Sequence, residues 1–173
     1  MLVVMAGLPG VGKSYLARAL GAQLKADVLD RDEVRDAIFP PRDLDYSPEQ
    51  NELASQVIYM VAEYILRRDK ARVLILDGRP FSKRAQVQEV ERLGERCGHL
   101  LRIVYCWAPE DVVQQRLDAD LSSSGNVAAD RTMDKYRRIQ RAFEPLGVDH
   151  LSVDTSQPLD DNISRVLHYL QMT

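Results

Sequence analysis

The segment Gly7-Leu8-Pro9-Gly10-Val11-Gly12-Lys13-Ser14 fits the pattern G-x-x-x-x-G-K-[ST], and it lies between two telling neighbours. Before it is the apolar run Met1–Ala6; after it, Tyr15–Leu24 carries Leu16, Ala19, Leu20 and Leu24 at helical spacing. Strand, tight loop and helix in that order make a phosphate-binding loop, or P-loop. Its glycines let the backbone curl until successive N–H groups point at phosphate oxygens, and the helix N-terminus adds a partial positive charge. In such a loop Lys13 reaches the β- and γ-phosphates and Ser14 ligates Mg²⁺. Gly7 through Ser14, with Tyr15 beside them, are the expected nucleotide-binding residues.

Outward from this loop, strands and helices alternate. Ala26–Leu29 reads as a second strand and Asp32–Ile38 as a helix stopped by Phe39-Pro40-Pro41. After an irregular stretch to Tyr46, Ser47-Pro48-Glu49-Gln50 supplies an N-cap hydroxyl, a proline at the first helical position and a Gln three residues past the cap, announcing a long helix to about Arg68. Arg72–Asp77 carries a continuous Val-Leu-Ile-Leu run, as expected of a parallel strand buried on both faces. Helix Ser82–Arg96, strand Leu100–Trp107, a helix from Pro109, a mobile loop at Leu121–Asp130, a helix to Phe143, strand Leu151–Asp154 and a closing helix after Pro158 complete the expected order. The alternation predicts an α/β fold, a parallel sheet with helices on both faces.

Composition agrees with one such unit. The chain has 173 residues, 45% of them hydrophobic, and a formal net charge of −3. That length suits one domain spanning 1–173, and the mild acidity disfavours a protein that grips nucleic acid through a global positive field. Cys97 and Cys106 show no C-x-x-C spacing, no signal segment is visible, and no apolar run approaches the ~20 residues needed to span a bilayer. A cytoplasmic protein with two structural thiols and no membrane association is expected. His99, His150 and His168 lack metal-ligand spacing and receive no role. Trp107 is read as a core residue in preference to a base-stacking one.

The fate of the γ-phosphate turns on the acids. Asp77 ends the third strand, where an acid reaches a hydrated Mg²⁺ in P-loop proteins, but the next residue is Gly78 rather than a water-activating glutamate. Hydrolysis for its own sake is disfavoured. No Asn-Lys-x-Asp occurs, so guanine readout of the GTPase kind has no candidate. Transfer to a hydroxyl needs a proton acceptor near the γ-phosphate, and Asp32, just past the second strand, suits that task. Arg35, three residues on and on the same helix face, can clamp an anionic group. Asp32 also suits a plain N-cap, and the two roles can coexist. Residues 27–52 hold nine acids against three arginines, net −6, whereas Arg79-Pro80-Phe81-Ser82-Lys83-Arg84 has three basic residues in six and offers a local docking point for a phosphate or carboxylate.

Together Gly7–Ser14, Leu29-Asp-Arg-Asp-Glu-Val-Arg35, Leu74-Ile-Leu-Asp77 with Arg84, and Phe143-Glu-Pro leading to Val153-Asp-Thr155 resemble the small P-loop kinases that phosphorylate hydroxyl groups. That group includes 5′-hydroxyl polynucleotide kinases, zeta-toxin and chloramphenicol phosphotransferase-type enzymes and, more distantly, adenylyl-sulfate and gluconate kinases. The resemblance implies an adenylate-kinase-like sheet of five parallel strands in order 2-3-1-4-5, ATP with Mg²⁺, a base at Asp32 with Arg35 nearby, an acceptor-side Arg84 and an adenine-side loop at Thr155. It also implies a short lid around 117–135. Arg116 fits the first position of the lid's Arg-x-x-x-Arg arrangement, but Asp120 stands at the second. Within 131–141, five basic residues face one acid, and Arg131 is the preferred donor of the missing charge over Lys135 and Arg138, a solvated basic face being the alternative. The expected activity is therefore ATP-dependent transfer to a hydroxyl of a small-molecule or nucleotide-like acceptor. A polynucleotide 5′-hydroxyl is the second choice of acceptor, and a non-catalytic ATP-binding regulatory protein is the alternative from another class.

Overall fold

In the computed structural model, which describes residues 1–123 and 132–172, five strands form one sheet in the order β2-β3-β1-β4-β5. They are β1 (Leu2–Ala6), β2 (Asp27–Asp30), β3 (Leu74–Asp77), β4 (Leu101–Trp107) and β5 (Leu151–Asp154). Every pairing is parallel, with Val3 opposite Ile75 on one side and Val4 opposite Ile103 on the other. The helices are α1 (Lys13–Leu24), α2 (Arg31–Ile38), α3 (Pro48–Arg68), α4 (Arg84–Cys97), α5 (Glu110–Ser123), α6 (Met133–Arg141) and α7 (Leu159–Gln171).

The central strand shows why β1 is apolar at every position. Leu2, Val4 and Ala6 project to one face, against Ile58, Ala62 and Leu66 of α3 and Val87, Val90 and Leu93 of α4. Val3 and Met5 project to the other, against Leu16 and Leu20 of α1, Val113 and Leu117 of α5 and Val166 of α7. All five β1 side chains are fully buried, and each large one contributes on the order of 1.5–3 kcal/mol of burial free energy.

Some boundaries differ from the sequence reading for local reasons. Asp30, not Asp32, caps α2: its carboxylate accepts from the Asp32 N–H at 2.8 Å, leaving Asp32 inside the first turn. Ser47 caps α3 as its motif predicts. Helix α5 continues through Ser123, into the stretch expected to be a loop from Leu121. Residues 124–131, including the rest of that loop and Arg131, lie outside the described residues. Trp107 is 41% exposed at the end of β4, so its assignment to the core fails; Cys106 occupies the inward position before it. Among the described residues no helix is long and apolar enough to cross a membrane.

Candidate active site

The P-loop opens onto a cleft of about 680 Å³ bordered by the loops that follow β1, β2, β3 and β5. Of the loop residues, Pro9, Gly10, Gly12, Lys13, Ser14 and Tyr15 line it. Leu8 and Val11 are buried and border a smaller cavity of about 290 Å³ instead. Gly12 caps α1 in the left-handed region (φ 86°), and a Cβ there would come within 3.1 Å of Arg116 Nη1 and 3.4 Å of Thr155 Oγ1. Only glycine meets both demands.

Lys13 is buried, and its Nζ donates to the Leu8 carbonyl at 2.7 Å. Burial pulls its pKa below 10.5, and the nearby Asp77 carboxylate opposes the shift. Asp77 is 3% exposed, and neither carboxylate oxygen has a hydrogen-bond partner. A buried acid left unsatisfied is costly, so a partner of opposite charge fits its place. Ser14 on the cleft wall and Asp77 at the end of β3 are a hydroxyl and a carboxylate of the kind that holds Mg²⁺ with water and phosphate oxygens. Among the described residues no three His, Cys, Asp or Glu side chains form a protein-only metal cage. Asp30 lies opposite Asp77 in the strand register; burial first, and the Asp77 charge second, raise its pKa.

On the far wall, Asp32 Oδ1 accepts from Arg35 Nη1 at 2.9 Å and from Arg31 Nη2 at 3.2 Å. Arg35 is 3% exposed, donates to Asn51 Oδ1 at 2.9 Å and to Asp36 Oδ1 at 3.2 Å, and has its guanidinium 4.5 Å from the Tyr46 ring centroid. Tyr46 itself sits at φ 55°, an unusual region for a bulky residue, and Asn51 Nδ2 donates to its carbonyl at 3.1 Å. Arg31 approaches β3 closely because Gly78 (φ 88°) has no side chain; a Cβ there would lie 2.9 Å from the Arg31 backbone nitrogen.

Arg116 bridges the loop and the last strand. Its Nη1 donates to Thr155 Oγ1 at 3.0 Å and its Nη2 to the Thr155 carbonyl at 2.8 Å, while the Thr155 hydroxyl donates to the Val11 carbonyl. Asp154 fixes the same turn by accepting from the Ser156 N–H and hydroxyl. Asp120, one turn beyond Arg116, also lines the cleft. From the basic helix α6, Lys135 and Ile139 do so, whereas Arg137 is paired to Glu110 at 2.9 Å.

Two sequence-based assignments are not brought to this site. Arg79 is buried outside the cleft lining, donating to Glu52 at 2.8 Å and Tyr59 at 3.0 Å; burial pushes that tyrosine up to about 12. Arg84 starts α4 on the surface, where its backbone N–H donates to Glu144 at 2.8 Å and its guanidinium lies against Gly147. Neither offers a docking charge in the cleft. Conversely, Arg31, Tyr46 and Asn51 line it without having been singled out for it, and Lys135, ranked behind Arg131 as a source of lid charge, lines it too. The four-residue spacing of Arg31 and Arg35, about one helical turn, is the local signal that could have found Arg31.

A parallel 2-3-1-4-5 sheet with this loop and cleft is a P-loop kinase-like fold. The family profile of the AAA domain matches residues 2–146, and the chain belongs to that family. Among solved structures the chain is similar to the APS kinase of Mycobacterium tuberculosis in complex with AMPPNP and APS, at 20% identity and TM-score 0.71, covering 98% of this chain and 96% of that one. It is also similar to a sugar kinase from Janibacter sp. (19%, TM-score 0.67, 99% and 95% covered) and a gluconokinase from Sinorhizobium meliloti 1021 (17%, TM-score 0.59, 99% and 97% covered). No curated protein sequence matches the chain.

Proposed function

We propose that the chain is an ATP-dependent kinase that transfers the γ-phosphate to a hydroxyl group of a small acceptor, within one domain closed by a short lid around 117–135. The observation that carries this reading is Asp32: a carboxylate with 21% of its side chain exposed, held by two arginines, lining the same cleft as Lys13. Arg31 and Arg35 hold the carboxylate at the wall of the cleft that an acceptor hydroxyl would enter.

The acceptor oxygen attacks the γ-phosphorus, its proton passes to Asp32, and the bond from that phosphorus to the β-bridging oxygen breaks to give ADP. Lys13 follows the β- and γ-oxygens, and Arg116 and Lys135 supply positive charge over the loop as negative charge develops on the transferring group. Ser14 and Asp77 would hold Mg²⁺, which when bound neutralises phosphate charge. The P-loop backbone holds the phosphates in place, and the turn at Thr155 borders the nucleotide on its adenine side. Tyr46, Asn51 and Arg35 border the acceptor.

Lodging of Arg79 and Arg84 away from the cleft counts against a polynucleotide acceptor, which would need phosphate contacts along that wall. The test is acceptor-dependent ADP release across nucleosides, oligonucleotides, sugars and amino-sugar alcohols. Release with a small hydroxyl compound supports the reading, and no release with any acceptor at saturating Mg²⁺-ATP favours the regulatory alternative.

A further inference from the structure

Helix α3 has an apolar face that the described residues leave uncovered. Nine large hydrophobic side chains are exposed among the described residues, and four of them lie on this helix: Leu53 (49%), Met60 (72%), Val61 (40%) and Tyr64 (59%). With half-buried Val57 they recur at intervals of three and four residues, making one stripe along the outer side of the helix. The opposite side, Ala54, Ile58, Ala62 and Leu66, is buried against the sheet. The stripe is thus additional to the core-facing surface that folding requires.

Its ends carry opposite charge. Glu49 sits on the stripe in the first turn and Arg67 and Arg68 in the last, with the Arg68 guanidinium stacked 3.7 Å over the Tyr64 ring. The order is also self-complementary. Positions 53 and 64, 57 and 60, and 49 and 68 each sum to 117, so one twofold axis between residues 58 and 59 relates all three pairs. Laid antiparallel on itself, the helix sets Leu53 against the partner's Tyr64, Val57 against the partner's Met60 and Glu49 against the partner's Arg68.

We propose that this face is an isologous interface between two copies of the chain, paired through antiparallel α3 helices. A twofold contact requires one patch complementary to itself, and the apolar centre with acid at one end and base at the other meets that requirement. A shallow crossing angle of about 20° keeps the helices in contact along the whole stripe. Two helices of this length and their flanks bury on the order of 1,000 Å² in all, near the lower bound for a specific interface, so the dimer is concentration-dependent. The inference is independent of the reaction assigned to the cleft.

Sedimentation equilibrium or light scattering over a micromolar concentration series tests it on the full chain. The expected mass rises from 19.6 kDa toward twice that value. Met60→Asp and Tyr64→Glu, both at exposed positions, are expected to weaken association at least tenfold while leaving thermal unfolding unchanged. Glu49→Arg is expected to weaken it as well, and adding Arg68→Glu to that variant to restore it, which neither change does through helix stability because both oppose the helix dipole. A mass of 19.6 kDa at every concentration overturns the proposal and leaves the face to another partner. A dimer that survives both apolar-to-acid substitutions overturns it equally, since the contact then lies elsewhere.

Discussion

Arg116 gives two hydrogen bonds to a single residue, Thr155, 39 positions later: one to its hydroxyl and one to its carbonyl. The guanidinium is thereby held over Gly12, at the mouth of the phosphate loop. Arg116→Lys keeps the charge but loses the fork that binds both oxygens at once. Transfer in this variant is expected to fall about 10–100-fold with less than a tenfold change in ATP affinity, as single-turnover and equilibrium-binding measurements would separate. Equal loss in both would assign the residue to ground-state binding.

Asp32 is separable from helix capping because Asp30 performs that task. Asp32→Asn is expected to bind ATP as well as the parent yet to lose transfer by at least ~10² with acceptor saturating. Full turnover would remove Asp32 from the role of base. Asp30→Ala provides the contrast, since its loss falls first on the α2 cap, at about 0.5–2 kcal/mol by denaturant unfolding.

Asp77→Asn removes a buried carboxylate with no hydrogen-bond partner while conserving shape. The Mg²⁺-dependent part of ATP affinity is expected to fall at least tenfold, with metal-free nucleotide affinity little changed. Calorimetric titration with and without Mg²⁺ reads the difference, and an unaltered Mg²⁺ dependence would show that Asp77 has no part in holding the ion.

The buried lysine gives a proton signature. In the folded chain Lys13 titrates below 10.5, so in the alkaline range up to that value the unfolded chain binds more protons, and its contribution to stability improves as pH rises through that window. Asp30 runs oppositely in acid: raised above 3.8, it holds its proton more tightly when folded, and stability declines as pH climbs from 3.8 through the folded value. Phosphates arriving beside Lys13 favour its charged form. ATP binding at alkaline pH is therefore expected to take up protons, measurable as a buffer-dependent binding heat, and Lys13→Met to abolish the uptake.

Arg79 is expected to matter for folding rather than for the acceptor. Truncation to Ala strips partners from Glu52, Glu89 and Tyr59 and leaves a void beside α3, costing about 1–3 kcal/mol. Acceptor KM should stay within about threefold. A large KM effect with intact stability would return Arg79 to the acceptor wall.

These cases mark what short-range pattern encodes. The strands and the phosphate loop were readable because each rests on contiguous residues, Leu74–Leu76 being apolar throughout and Gly7–Ser14 its own template, whereas the strand order came only with the family resemblance. Asp32 and Arg35 were readable as neighbours because helical spacing alone brings them together. The partners of Arg79 were hidden, since Glu52 is 27 residues away and meets it only once α3 is laid beside β3. Tyr46 and Asn51 were hidden likewise, because their place beside Arg35 depends on how α3 returns to α2 rather than on any local signal. Trp107 was misread since alternation along β4 puts Cys106 inward and the tryptophan outward at the strand's open end.

The Thr155 hydroxyl reaches the Val11 carbonyl across 144 positions. The stretch that the family profile matches ends at residue 146, nine residues before it, so the phosphate loop is fastened by a residue from outside that stretch. Nucleotide recognition here is consequently not modular. A cut made at the border of sequence similarity would preserve the motif and remove its latch, and a reshuffled or permuted chain would keep its grip on phosphate only if β5 still arrived beside β4.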